Sequence, residues 1–250
     1  MTARTDAYEA KLETIKAIKK EDVKTPNMPM DTFISEASGL YNRAKNDFPK
    51  LKEVGVTEEA IEDLNIRNEA AAQAQGYWNN ILRAQEDAQK EWLEESPAAF
   101  ALRDEIIRAM RLGYRKNKNL LSRVALVAEG DTNADMIQDL TDVTIIANEN
   151  PEPLKAINFD MSKIEKAAAL SSEMNTLRGK TDANSDLNKE VKLIRDKAYT
   201  HLKEAVDEIR EFGQYVFWDD DSRRQAYTSA YNRKNNNSAK ESTSDQTAAN

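Results

Sequence analysis

One stretch occurs twice in this chain and restricts its architecture more than any other feature. Leu51-Lys52-Glu53-Val54-Gly55-Val56-Thr57, running on to Ile61-Glu62, returns 103 residues later as Leu154-Lys155-Ala156-Ile157-Asn158-Phe159-Asp160, running on to Ile164-Glu165. Apolar residues hold the same places before a Thr or an Asp, as expected where a helix is entered twice through the same kind of N-cap. The offset also extends upstream. Phe33, Ile34, Ala37, Leu40, Tyr41 and Ala44, on a helix starting at Asp31, are matched by Met136, Ile137, Leu140, Val143, Thr144 and Ala147, and both runs end at proline: Pro49 in one, Pro151 and Pro153 in the other. Helix, proline stop, apolar hook and helix start therefore recur in one order from about Asp31 to Leu64, the pattern of an internal duplication.

The repeat implies more helix downstream. Ile61, Leu64, Ala71, Trp78, Leu82 and Trp92 form a four-three seam over Glu58 to Glu95, interrupted by Asn68, Gln75, Gln85 and Gln89. Ser96-Pro97 reads as a cap with proline in the first turn, so a hairpin is expected there, with a fourth helix running to about Glu129. In the second copy the pair is Ser162 to Arg178 and Leu187 to Trp218, separated by a polar break at Gly179 to Asp186. Leu102-Arg103-Asp104 then matches Ile194-Arg195-Asp196 at an offset of 92. The eleven residues lost amount to about three helical turns, which keeps the buried faces in register. Along that seam apolar residues match apolar ones, apart from Asn117 against Ile209.

These readings predict an all-α, elongated helical bundle built from two duplicated three-helix units. An N-terminal helical arm and linker occupy 1–30, the units 31–130 and 131–218, a short C-terminal aromatic helix 219–234 and a disordered tail 235–250. The arm carries Tyr8, Leu12, Ile15 and Ile18 on one stripe, as though laid on another surface, and Pro26 and Pro29 mark the linker.

Composition limits the function classes. The chain has no cysteine, which excludes disulfides, thiol chemistry and thiolate zinc sites. A net charge of −8 argues against a uniformly nucleic-acid-coated protein while leaving room for a local basic patch. No apolar leader or bilayer-length run is present, so a soluble, cytoplasmic protein is expected.

No constellation in the sequence assembles a catalytic, cofactor-binding or metal site. His201 with Glu204 is a single His-x-x-Glu, whereas di-iron bundles use Glu-x-x-His on two helices, so a surface histidine is expected. Ser171 and Ser172 fall in helix rather than on a nucleophile elbow. Asp219, Asp220 and Asp221 lack the alternate spacing of a calcium loop and read as a helix cap. There is no glycine-rich phosphate loop.

Three features could mark a surface or pocket. Arg108, Arg111, Arg115 and Lys118 form a basic stripe on one face of the fourth helix, a candidate face for an anionic partner unless Glu204, Asp207, Glu208 and Glu211 neutralise it. Phe217, Trp218, Tyr227 and Tyr231 are candidate docking aromatics near the C-terminal end. Trp78, Trp92, Asn68 and Gln75 would have to converge to line a ligand pocket. The run Gly213-Gln214-Tyr215-Val216-Phe217-Trp218, with the arginine-bearing helix after it, resembles uncharacterised helical proteins predicted in Bacteroidetes genomes. The resemblance covers the last quarter of the chain and implies no activity.

Long helices with polar seam residues need only packing, so the expectation is a non-enzymatic interaction or scaffold protein. Self-association or a protein partner is expected, with no cofactor, no membrane and no small-molecule ligand. The alternative is a nucleic-acid accessory protein using the basic face.

Overall fold

The computed structural model describes residues 3–236. Among them every regular element is helical, as the four-three patterning requires, and no helix is long and apolar enough to cross a membrane. The tail expected from residue 235 lies, from 237 on, outside the described residues; residues 230–236 are helical.

The α-helices are α1 (Ala3–Ala17), α2 (Met30–Asn46), α3 (Phe48–Glu53), α4 (Glu58–Gly113), α5 (Lys118–Val127), α6 (Asn133–Glu149), α7 (Glu152–Lys155), α8 (Ser162–Val216) and α9 (Asp221–Ala226). They divide into two compact units. One comprises 1–81 and 188–250, the other 82–187. The boundaries therefore cut α4 and α8 instead of following the contiguous segments 31–130 and 131–218 read from the sequence.

Two expected breaks are absent. No hairpin forms at Ser96-Pro97, because α4, 56 residues in all, runs unbroken through Pro97. A helix-interior proline costs about 3 kcal/mol, but Trp92 before it and Ala99, Leu102 and Ile106 after it pack into one core. The polar stretch at 179–186 likewise stays within α8, which contains Gly179 but no proline.

The first compact unit buries Phe33, Ala37 and Leu40 of α2, Leu51 of α3, Ile61 and Leu64 of α4, and Tyr199, Leu202 and Ile209 of α8. The second buries Met136, Leu140 and Val143 of α6, Leu154 of α7, Ile164 and Ala167 of α8, and Ile106 and Met110 of α4. The residues paired at the 103-residue offset are thus buried alike, with Ala37 and Leu64 in one core replaced by Leu140 and Ala167 in the other. The turn between short and long helix also recurs. Val56 N–H donates to Leu51 O and Gly55 N–H to Lys52 O; Phe159 N–H donates to Leu154 O and Asn158 N–H to Lys155 O. This is the six-to-one, five-to-two pattern of a Schellman cap, which requires a left-handed residue. Gly55 has φ 98° and Asn158 φ 56°.

A polar bridge follows the same offset. Asn68 Nδ2 donates to Ser38 Oγ at 2.8 Å, and Thr141 Oγ1 and Ser171 Oγ lie 2.8 Å apart at the matching positions. One difference between the units falls at Asn117, the mismatch noted in the sequence. There α4 has ended at Gly113, and Asn117 caps α5 by accepting from the N–H groups of Asn119 and Leu120, whereas Ile209 lies inside α8. Gly113 permits the close approach, since a β-carbon would sit 3.1 Å from Leu154 and 3.2 Å from the Pro153 carbonyl oxygen.

Candidate functional site

The C-terminal aromatics expected to dock a partner are largely used by the fold itself. Tyr227 is wholly buried, Phe217 nearly so, and their rings stack 5.7 Å apart. Tyr231 is half-buried, and of the four only Trp218, 72 % exposed, keeps its ring in solvent. The segment is fastened by two carboxylates of α2 and the turn after it. Asp47 accepts from Tyr227 Oη at 2.8 Å and from Arg223. Glu36 accepts from Arg210 at 2.7 Å, the Tyr231 N–H at 2.8 Å and Ser229 at 3.2 Å. Burial opposes ionisation of Glu36, but these three donors overcome it and hold the carboxyl below its usual range. Burial, and then the Asp47 carboxylate, push the Tyr227 phenol well above its ordinary value. Gly213 makes room for the ring, since a β-carbon there would overlap Tyr227. Neither Glu36 nor Asp47 stands out in the sequence, because their partners lie far away along the chain.

The N-terminal arm is laid on this chain's own first unit. Ile15 is buried, Tyr8 meets Tyr77 edge to face at 5.3 Å, and Lys11 pairs with Asp63 at 2.5 Å. The linker is tied as well: Lys24 N–H donates to Thr200 Oγ1 at 2.9 Å, while Met28 and Met30 are buried.

His201 is buried rather than a surface histidine, at 6 % exposure. Arg67 donates to its carbonyl oxygen at 2.9 Å and lies 3.2 Å from Nδ1, which places the imidazole proton on Nε2. Burial first, then the Arg67 charge, lower its pKa to about 4. Asp139 is a buried carboxylate in the other unit. Its burial outweighs Arg103, 3.2 Å away, so its pKa is pushed up to about 6. These groups sit in packing contacts. Ser171 donates to Ile137 O at 2.9 Å, and Asp220 caps α9 by accepting from Arg223 N–H. Among the described residues no group of three metal-ligating side chains gathers.

The proposed pocket residues do not converge. Asn68, Gln75 and Trp78 belong to the first compact unit and Trp92 to the second. Trp78 donates to Asn188 Oδ1 at 2.7 Å beneath the Arg195 guanidinium, 4.2 Å from its ring. Trp92 instead lines an open cleft of about 520 Å³ with Gln85 and Gln89 of α4 and Arg178, Thr181 and Asp182 of α8.

The basic stripe does not lie on one helix. Arg108 and Arg111 are in the last turns of α4, Arg115 is in the turn after it, and Lys118 begins α5. All four are exposed, as is Lys116, and Leu112 among them is 55 % exposed. Arg115 donates to Leu112 O at 2.8 Å, capping the helix end. Of the acids expected to neutralise the stripe, Glu204 lies 3.7 Å from Arg67 and Asp207 pairs with Lys203 at 2.8 Å. Among the described residues none of Arg108, Arg111, Arg115 and Lys118 forms an ion pair.

No protein-family model, curated protein or solved structure matches the chain.

Proposed function

We propose that this is a non-enzymatic helical interaction protein that binds an acidic protein surface through residues 108–118. The observation that carries the reading is exposed Leu112 set among Arg108, Arg111 and Arg115. Phosphate recognition asks only for cations. An apolar anchor ringed by cations suits a partner that brings both carboxylates and an apolar side chain. Helix stability accounts for part of the cluster, because cations at a helix C-terminus contribute about 0.3–1 kcal/mol each. It does not account for Lys118, which opens α5 where the dipole disfavours a cation and no acid shares the first turn. The non-enzymatic reading is supported by His201, Asp139 and Tyr227, whose perturbed titration goes with packing rather than with a cleft. A chain without cysteine suits a reducing, cytoplasmic setting.

The test is fluorescence anisotropy with a labelled acidic, leucine-containing peptide, using wild type, Arg108→Glu/Arg111→Glu and Leu112→Ser. Both variants are expected to weaken binding several-fold, about 1 kcal/mol or more. A short duplex bound more tightly than the peptide, with no response to Leu112→Ser, would favour the nucleic-acid reading instead; binding of neither would overturn both.

We also infer that the two units descend from one duplicated segment. Supporting this are the repeated Schellman turn and the Ser38–Asn68 and Thr141–Ser171 bridges, both at one offset. Excising either bridge by substitution to alanine should destabilise its own unit by a similar amount, about 1–3 kcal/mol.

A further inference from the structure

The basic surface has a complement on its own helix. Glu86, Asp87, Glu91, Glu94 and Glu95 of α4 are all exposed, beside Leu93 at 65 % exposure. Of these acids only Glu94 meets a cation among the described residues, Lys90 at 3.9 Å. Leu93 and Leu112 are nineteen residues apart on one continuous helix, about 28 Å along its axis. The two surfaces of one molecule therefore cannot meet each other.

They can meet in a second copy. At 3.6 residues per turn, Leu93, Glu94, Pro97, Ala101, Arg108, Arg111 and Leu112 fall within about a third of the helix circumference. That face runs from acidic to basic, with the small exposed Ala101 at its middle and exposed Ala98 at its border. Resting on the reading above, we propose that the partner is another copy of this chain, with the exposed α4 faces packed antiparallel about Ala101. Two-fold symmetry then satisfies both halves at once: acidic 86–95 of each copy lies along basic 108–116 of the other, and each Leu93 approaches the turn that carries Leu112. Small side chains at the crossing let the helices approach closely. A head-to-tail contact, by contrast, would leave one acidic and one basic end unpaired and would grow chains.

The absence of cysteine allows a direct test. Ala101→Cys places a single thiol beside the two-fold axis, where it meets its own copy; Ala125→Cys, equally exposed on α5, is the control. On mild oxidation the Ala101→Cys protein should give a disulfide dimer at least ten-fold faster than the Ala125→Cys protein. Light scattering of the wild type should rise with concentration from 28.3 kDa towards twice that mass, and fall back in about 1 M salt, where screening acts within about 3 Å. Arg108→Glu/Arg111→Glu and Glu86→Arg/Glu94→Arg should each be monomeric alone, and an equimolar mixture should restore the dimer. A monomer at every concentration with equal cross-linking at both positions overturns the proposal, as do masses beyond the dimer. If the monomer still binds the acidic peptide, only the identity of the partner has failed; if it does not, the basic-surface reading has failed with it.

Discussion

Gly213→Ala separates two effects of opposite sign. Gly213 lies inside α8, where replacing glycine by alanine should stabilise the helix by about 1 kcal/mol. The new methyl would, however, overlap the Tyr227 ring. That ring has little freedom to move: it is wholly buried, stacked on Phe217 at 5.7 Å, and its hydroxyl donates to Asp47 at 2.8 Å. Displacing a buried aromatic costs about 3–5 kcal/mol, so the expected net loss is about 2–4 kcal/mol after the helix gain. Urea unfolding followed by circular dichroism measures it, and hydrogen exchange over 221–231 should show the C-terminal segment released first. In a Tyr227→Ala background the space is vacant, and the same substitution should stabilise by about 1 kcal/mol. A Gly213→Ala protein at least as stable as wild type would refute the account of the lock.

Pro97→Ala should stabilise the protein by up to about 3 kcal/mol in thermal unfolding, since α4 already runs through that position; a loss would mean that Pro97 marks a turn after all. Phe217→Ala should cost about 3–5 kcal/mol and Trp218→Ala less than about 0.5, and comparable losses would show that the two rings are not divided between core and solvent. His201 takes up its proton less readily folded, with a pKa of about 4, than unfolded, so its contribution is complete above the unfolded value of about 6.5 and is lost as pH falls towards 4. Wild type should therefore lose up to about 3 kcal/mol relative to His201→Gln between pH 7 and pH 4, and a parallel pH dependence of the two proteins would count against a buried neutral imidazole.

Much of the helical layout is legible before any coordinates. The 103-residue offset locates α2 against α6 and α3 against α7, and even the Gly55 and Asn158 turns, because Schellman caps and apolar hooks depend on residues within a few positions of one another. The mismatch of Asn117 with Ile209 points to a place where the two units differ, a helix start in one and a helix interior in the other. The site is harder to read. Arg108, Arg111, Arg115 and Lys118 look like one helical face only while the helix is assumed to pass Gly113, and Phe217 and Tyr227 look like docking rings only while their neighbours are unknown.

The sequence by itself determined the helical class and the paired helix–turn–helix entries, through periodicity and capping, which are local. It also settled the lack of thiol chemistry. Tertiary structure decided that α4 runs through Pro97, because packing of Trp92 on one side and of Ala99 and Leu102 on the other offsets a proline's local cost. It likewise decided that His201 is interior, that Tyr227 fills the space over Gly213, and that the cations at 108, 111, 115 and 118 stay exposed. Burial depends on which distant residues meet, and His201 and Arg67, 134 positions apart, share no window of the chain.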